Sequence, residues 1–178
     1  MSEAFPALAS PQLLTRLHAA LAAEYQLLVQ GGFEGEASPA GTPWQPLAPA
    51  TVRRRKGKNA HPILRVSGRL ARTHVKASAD CAVVGSNLVY AAIHQYGGEI
   101  KRKDGQIKLH FRKVRRGPLK GRALFARPDK ADYGMAARAH VIRIPARPWL
   151  FEADGTVPPA WMQRLETCLI NFLEARHA

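Results

Sequence analysis

Acidic residues are scarce in this chain: 13 Asp and Glu stand against 27 Lys and Arg in 178 residues. None of the acids forms a D-x-D pair, an arrangement suited to holding a nuclease metal. Cysteine is rarer still. Cys81 and Cys168 lie 87 positions apart, too few and too distant for a disulfide framework or a cysteine-rich metal site, and a reduced, buried pair is expected. The seven histidines, at 18, 61, 74, 94, 110, 140 and 177, include no H-x-H or H-x-x-x-H pair that would suit a metal. Ser67-Gly68 lacks the surrounding glycines of a nucleophile elbow. Gly31-Gly32 and Gly97-Gly98 fall where helices should stop, whereas a phosphate cradle needs them where a helix starts. No apolar run approaches the roughly 18 residues of a membrane span. Met1-Ser2-Glu3-Ala4-Phe5-Pro6 has neither the basic nor the apolar region of a secretory leader. The expectation is a protein without catalytic site, cofactor, metal or membrane segment.

What remains is a globular composition, 46% apolar, at a length suited to one domain over residues 1–178. The formal charge of +14 is concentrated. Residues 101–130 hold twelve Lys or Arg against Asp104 and Asp129, a net of +10, which leaves +4 for the rest. A field that localised attracts a polyanion, either nucleic acid or an acidic protein face.

Ser10-Pro11 opens a helix, with a hydroxyl cap followed by proline at the first helical position. Leu13, Leu14, Leu17, Leu21, Tyr25, Leu28 and Val29 recur at helical spacing up to Gly31-Gly32, the expected stop. A second amphipathic helix follows Pro158-Pro159 and carries Trp161, Leu165, Leu169, Ile170, Phe172 and Leu173. Between them, residues 35–49 are rich in Pro and Gly, with Trp44 expected to pin the loop to the core. Thr51 should cap a short basic helix bearing Arg53, Arg54 and Arg55, and Ser67 another single turn. Residues 73–78 and 81–85 read as a β-hairpin. Asn87 should cap a helix to Tyr96, with Ala91, Ala92 and Tyr96 facing inward and Ile93 buried. Ile107, Leu109 and Phe111 alternate onto one face of a strand that returns through residues 122–125. Residues 100–127 are therefore expected to project as a basic hairpin, and 140–144 to form a last strand. The fold class is α+β, a small antiparallel sheet packed against the two terminal helices.

Four blocks, in order, carry a family resemblance over roughly residues 33–151. They are Pro39-Ala40-Gly41-Thr42-Pro43-Trp44-Gln45-Pro46-Leu47, then Ile63-Leu64-Arg65-Val66-Ser67-Gly68-Arg69-Leu70, then Tyr90-Ala91-Ala92-Ile93-His94-Gln95-Tyr96-Gly97-Gly98, and last Ile144-Pro145-Ala146-Arg147-Pro148-Trp149-Leu150. Together they resemble the virion morphogenesis (tail completion) family of tailed bacteriophages. Trp149 stands where the family has Phe, and Phe151 where Gly is common.

The resemblance implies a structural virion protein of the neck, at the head–tail junction, that completes the tail and joins head to tail as a homo-oligomeric ring. Six copies would follow phage-tail symmetry. Its neighbours would be connector or stopper proteins and tail terminator or tube, with packaged DNA as a nonspecific contact. A head morphogenesis factor that leaves the particle and a nonspecific nucleic-acid-binding protein are the alternatives. Two coupling arms are expected, residues 33–60 and 100–127. Contacts are assigned to Arg53, Arg54, Arg55, Lys101, Arg102, Lys103, Lys108, Arg112, Lys113, Arg115, Arg116, Lys120 and Arg122. Structural anchors are assigned to Trp44, Tyr90, Ile93, His94, Gln95, Gly97, Gly98, Arg147 and Trp149, with His94 held by hydrogen bonds.

Overall fold

Leu13, Ala22, Val29 and Phe33 line the buried side of a 25-residue helix, α1 (Pro11–Gly35), in the computed structural model, which describes residues 10–55, 61–105 and 107–175. Ser10 caps it as expected, its hydroxyl accepting the Leu13 N–H at 3.3 Å. The helix runs through Gly31-Gly32 and ends only at Glu36, in the left-handed region at φ 53°. Two interior glycines cost about 2 kcal/mol together. Burying Phe33, 1% exposed between Trp44 and Trp149, recovers about 2–3 kcal/mol, so the helix continues to place it.

The chain then forms α2 (Pro49–Arg54), the antiparallel pair β1 (His74–Ala77) and β2 (Ala82–Gly85), and α3 (Ala91–Tyr96). Next come β3 (Gly98–Arg102), β4 (Lys108–Lys113), β5 (Ala123–Phe125), a 3-10 turn at Pro128–Lys130, β6 (Tyr133–Ala136), β7 (His140–Ile144) and α4 (Pro159–Glu174). The mixed helices and small antiparallel sheets bear out the α+β class, and the 73–85 hairpin and both terminal helices form where expected.

Several local expectations shift. Helix α2 begins after Ala48, so Thr51 lies inside it, because Pro49 is already suited to the first helical turn. Residues 67–72 turn without forming helix. The third helix starts after Tyr90, and Asn87 instead bonds His74 through its Oδ1 at 3.2 Å. Gln95, not Tyr96 or Ala92, faces inward beside Ala91. The two cysteines are free, but neither is buried: Cys81 is exposed and Cys168 half-buried.

The chain divides into two compact units, residues 1–97 with 145–178, and residues 98–144. The first unit holds one core of Val29, Phe33, Trp44, Ile63, Leu70, Ala91, Trp149 and Trp161. Glu24 on α1 accepts two hydrogen bonds from Arg164 on α4.

The second unit is all strand and turn. β3 pairs with β7, and β4 pairs with β6, both antiparallel. The Gly105 N–H donates to Ala137 O, and the Ala137 N–H to Ile107 O, linking the two ladders. β5 adds to the other edge of β4, in register Phe111↔Phe125. Residues 100–127 are thus not one two-stranded hairpin. Of the expected return, residues 122–125, only 123–125 pair with β4, and the longer partners of β3 and β4 are β7 and β6. β6 lies in the Ala-rich stretch where the sequence offered no alternating apolar pattern.

Candidate assembly interface

Each of the four blocks named above places a residue in the core of the first unit: Trp44, Ile63, Ala91 and Trp149. α3 is only six residues long, so its position depends on side chains. Gln95 is 3% exposed. Its Nε2 donates to Phe151 O at 2.6 Å, and its Oε1 accepts from the N–H groups of Trp149 and Leu150 at 3.0 and 3.1 Å. The Arg147 N–H donates to His94 O at 2.8 Å. One amide therefore satisfies three main-chain groups of residues 149–151. Gly97, at φ 71°, then turns the chain from α3 into β3, a conformation suited to glycine.

The Pro/Gly-rich loop is bonded to its own unit. Trp44 is 5% exposed, and its Nε1–H donates to Pro148 O at 2.8 Å. Arg147, also buried, donates from Nε to Gln45 O at 2.9 Å and from Nη2 to Pro46 O at 3.2 Å. The Ala40 N–H donates to the Glu152 carboxylate at 2.7 Å. These bonds hold residues 40–46 to their own unit, because a buried guanidinium and indole must find acceptors. Residues 56–60, the end of the expected arm, lie outside the described residues.

The remaining anchors divide. Trp149 is buried, but Tyr90 is 40% exposed and Ile93 half-buried. Tyr90 meets the His94 ring edge to face at 5.9 Å. His94 is not held by hydrogen bonds through Nδ1, which is buried without a partner among the described residues. Burial, and secondarily the Arg147 charge, holds its pKa below the ordinary imidazole value.

The assigned cations separate as well. Arg53, Arg54 and Arg55 sit on or beside α2 in the first unit, with Arg55 Nη1 donating to Pro62 O at 2.9 Å. Lys101, Arg102, Lys103, Lys108, Arg112, Lys113, Arg115, Arg116, Lys120 and Arg122 belong to the second, which carries fourteen Lys or Arg against four acids, a net of +10. Glu99 is bracketed by Arg143 at 2.9 Å and Lys101 at 4.0 Å. The Lys113 N–H, with Arg115 beside it, keeps the Asp132 carboxyl below its usual range.

Strand register gives the β5–β4–β6 sheet two unlike faces. Lys108, His110 and Arg112 point one way, opposite Ala136, Gly134 and Leu124. The stem of Lys108 lies over Gly134, where a Cβ would come within 2.9 Å of it. On the other face Phe111 stands between Phe125 and Tyr133, ring centroids 4.9 and 5.6 Å away, with Leu109 opposite Met135. Not one described residue of this unit is buried. Its cations were evident in the sequence, but its aromatic row was not, because Tyr133 and Met135 lie outside any regular pattern.

No group of three or more His, Cys, Asp or Glu is placed to hold a metal, and no helix is long and apolar enough to cross a membrane, among the described residues. The sequence model of the phage virion morphogenesis family matches residues 3–173. The chain belongs to that family. Its role is therefore in phage morphogenesis, as a virion-associated protein. The family match spans both units, so the coreless basic insertion lies within the matched region. No curated protein and no solved structure matches the chain.

Proposed function

We propose that the protein is a structural, non-catalytic subunit of the phage neck, which assembles as a ring at the head–tail junction, completes the tail and joins it to the head. The observation that carries this reading is the second unit: 47 residues with +10 net charge and no buried side chain among those described. A sheet without a core leaves its ordering entropy poorly offset, and small sheets need packing partners to be stable. Such a unit suits a protein that completes its fold in an assembly.

Beside it stands a well-cored first unit, so each subunit presents two dissimilar surfaces. Repetition of one heterologous contact between dissimilar surfaces closes into a ring when the rotation permits. The cationic face of Lys108 and Arg112 meets an acidic surface on an adjoining connector, stopper, terminator or tube protein. It lacks a recognition helix for reading bases. Phosphate contact with packaged DNA is the competing use of the same charge, and it would fall steeply with salt.

Cryo-electron microscopy of the head–tail junction of purified virions, with mass spectrometry of the same particles, tests the reading. A ring of this chain between head and tail is the expected result. Finding the chain in assembly intermediates but not in finished particles would make it a transient head morphogenesis factor instead.

A further inference from the structure

We infer that the contact between successive subunits is made by the aromatic face of the second unit lying on the outward side of α4 of the next copy; this rests on the ring reading above. Phe125 is 74% and Met135 57% exposed, although both sit on the same sheet face as Phe111 and Tyr133. A row of three aromatics on an uncovered sheet face is a surface built to be buried.

The ring geometry favours protein over nucleic acid as the occupant. Phe111 lies at an interplanar angle of 30° to Phe125 and 20° to Tyr133, at spacings near that of neighbouring strands. The rings therefore stand side by side as a ridge, presenting edges outward. Bases stack on ring faces, and here the faces of Phe111 are already taken by its neighbours. An apolar ridge of this kind fits between side chains of a helix.

The same chain supplies such a helix. Met162, Glu166, Ile170 and Glu174 follow one another at four-residue spacing on the exposed side of α4, with Met162 45% and Ile170 53% exposed. Residues at that spacing lie in a slanting stripe, here alternately apolar and acidic. Met162 and Ile170 are roughly 12 Å apart along the axis, and the row of three rings spans roughly 10 Å, two strand spacings. Neither Glu166 nor Glu174 makes an ion pair among the described residues. Lys113 follows Phe111 on the ridge face, opposite Ala123, within a unit of net charge +10. Basic ridge against acidic stripe is attractive, whereas two basic ridges repel. The contact is therefore head-to-tail, as ring closure requires.

The test joins the two surfaces covalently. In full-length protein carrying Cys81→Ser and Cys168→Ser, Phe125→Cys and Ile170→Cys together should give an oxidation-dependent ladder of cross-linked subunits in purified particles. Either cysteine alone should give no ladder beyond a dimer. Phe125→Glu should lower incorporation into particles at least tenfold while the tryptophan fluorescence of the first unit stays native, and Lys113→Glu with Glu166→Lys should restore what each change alone removes. A ring of the chain in particles without the ladder overturns the contact and leaves the ring reading standing. Absence of the chain from particles overturns both. A Phe125→Glu protein that incorporates normally but no longer binds a 40-bp DNA duplex at low salt would assign the ridge to nucleic acid, and that too overturns the proposal.

Discussion

Replacing Gln95 by Leu should destabilise the first unit far more than the loss of one side-chain amide suggests. Leucine fills a similar volume, so the cavity term is small, and the cost comes from polar groups left behind. The Gln95 amide satisfies Phe151 O, Trp149 N and Leu150 N at 2.6, 3.0 and 3.1 Å. An unsatisfied buried donor or acceptor costs about 1–3 kcal/mol. Trp149 is 3% exposed and its N–H cannot reach water, which calls for about 2 kcal/mol. Leu150 and Phe151 are half-buried, so water recovers part of theirs and about 1 kcal/mol each is expected. The sum is about 4 kcal/mol, a large share of the stability of an ordinary domain. Urea unfolding followed by tryptophan fluorescence reads this directly, because Trp44, Trp149 and Trp161 are all buried in the first unit. The midpoint should fall with the slope unchanged. A loss below about 1 kcal/mol would mean that residues 149–151 hold their place without the amide.

Trp44→Ala should cost about 4 kcal/mol in the same assay, from a lost buried aromatic and an unpaired Pro148 carbonyl; an effect near zero would show the loop to be free of the core. Arg147→Lys should cost about 2 kcal/mol, because one ammonium cannot reproduce a planar fork that reaches the Gln45 and Pro46 carbonyls together. For His94, the folded pKa lies below the unfolded one, so the neutral ring favours the fold. Stability should be full above about pH 6.5, fall as pH drops below it, and level off beneath the folded pKa; His94→Gln should flatten that slope in thermal melts taken from pH 7.5 to 5, and an unchanged slope would refute it. Binding of a DNA duplex, if measured, should weaken linearly in log–log form with salt, and Lys108→Glu with Arg112→Glu should reduce the slope.

The two terminal helices and strand β7 were evident in the sequence because each carries a complete periodic pattern within one continuous segment. Trp44 as an anchor was equally plain, since a tryptophan between Pro43 and Pro46 has few other uses. The roles of Gln95 and Arg147 were not. Both were marked by the motifs that contain them, but their partners are main-chain groups about 50 to 100 positions away, and a carbonyl leaves no trace in side-chain identity. The helix through Gly31-Gly32 was misjudged for a related reason: the gain that overrides two glycines comes from Phe33 meeting Trp44 and Trp149, long-range contacts that no local window contains. The basic segment showed its charge but concealed its pairing. Ile107, Leu109 and Phe111 alternate cleanly, whereas in the strand opposite them, Tyr133–Ala136, only Tyr133 is favoured by propensity, and Gly, Met and Ala follow it.

That weak strand bears on function. A sequence able to stabilise β6 by itself would place β-branched or aromatic residues across from Lys108, His110 and Leu109, yet Ala136, Gly134 and Met135 stand there. Gly134 leaves room for the Lys108 stem, and Met135 is flexible and adapts to what it meets. Such choices leave the sheet little intrinsic stability, as the proposed docking on a neighbour requires. In the first unit the opposite holds, with Gln95 and Arg147 spending five hydrogen bonds to fix the segments at the entry and exit of the insertion. If this division is the purpose of the fold, hydrogen exchange in the free protein should be fast across residues 98–144 and slow at residues 91–96 and 147–151. Assembly into particles should slow it at β4, β5 and β6 and leave residues 91–96 and 147–151 unchanged. Equal protection of both units in the free protein would remove the reason for reading the second as completed by its neighbour.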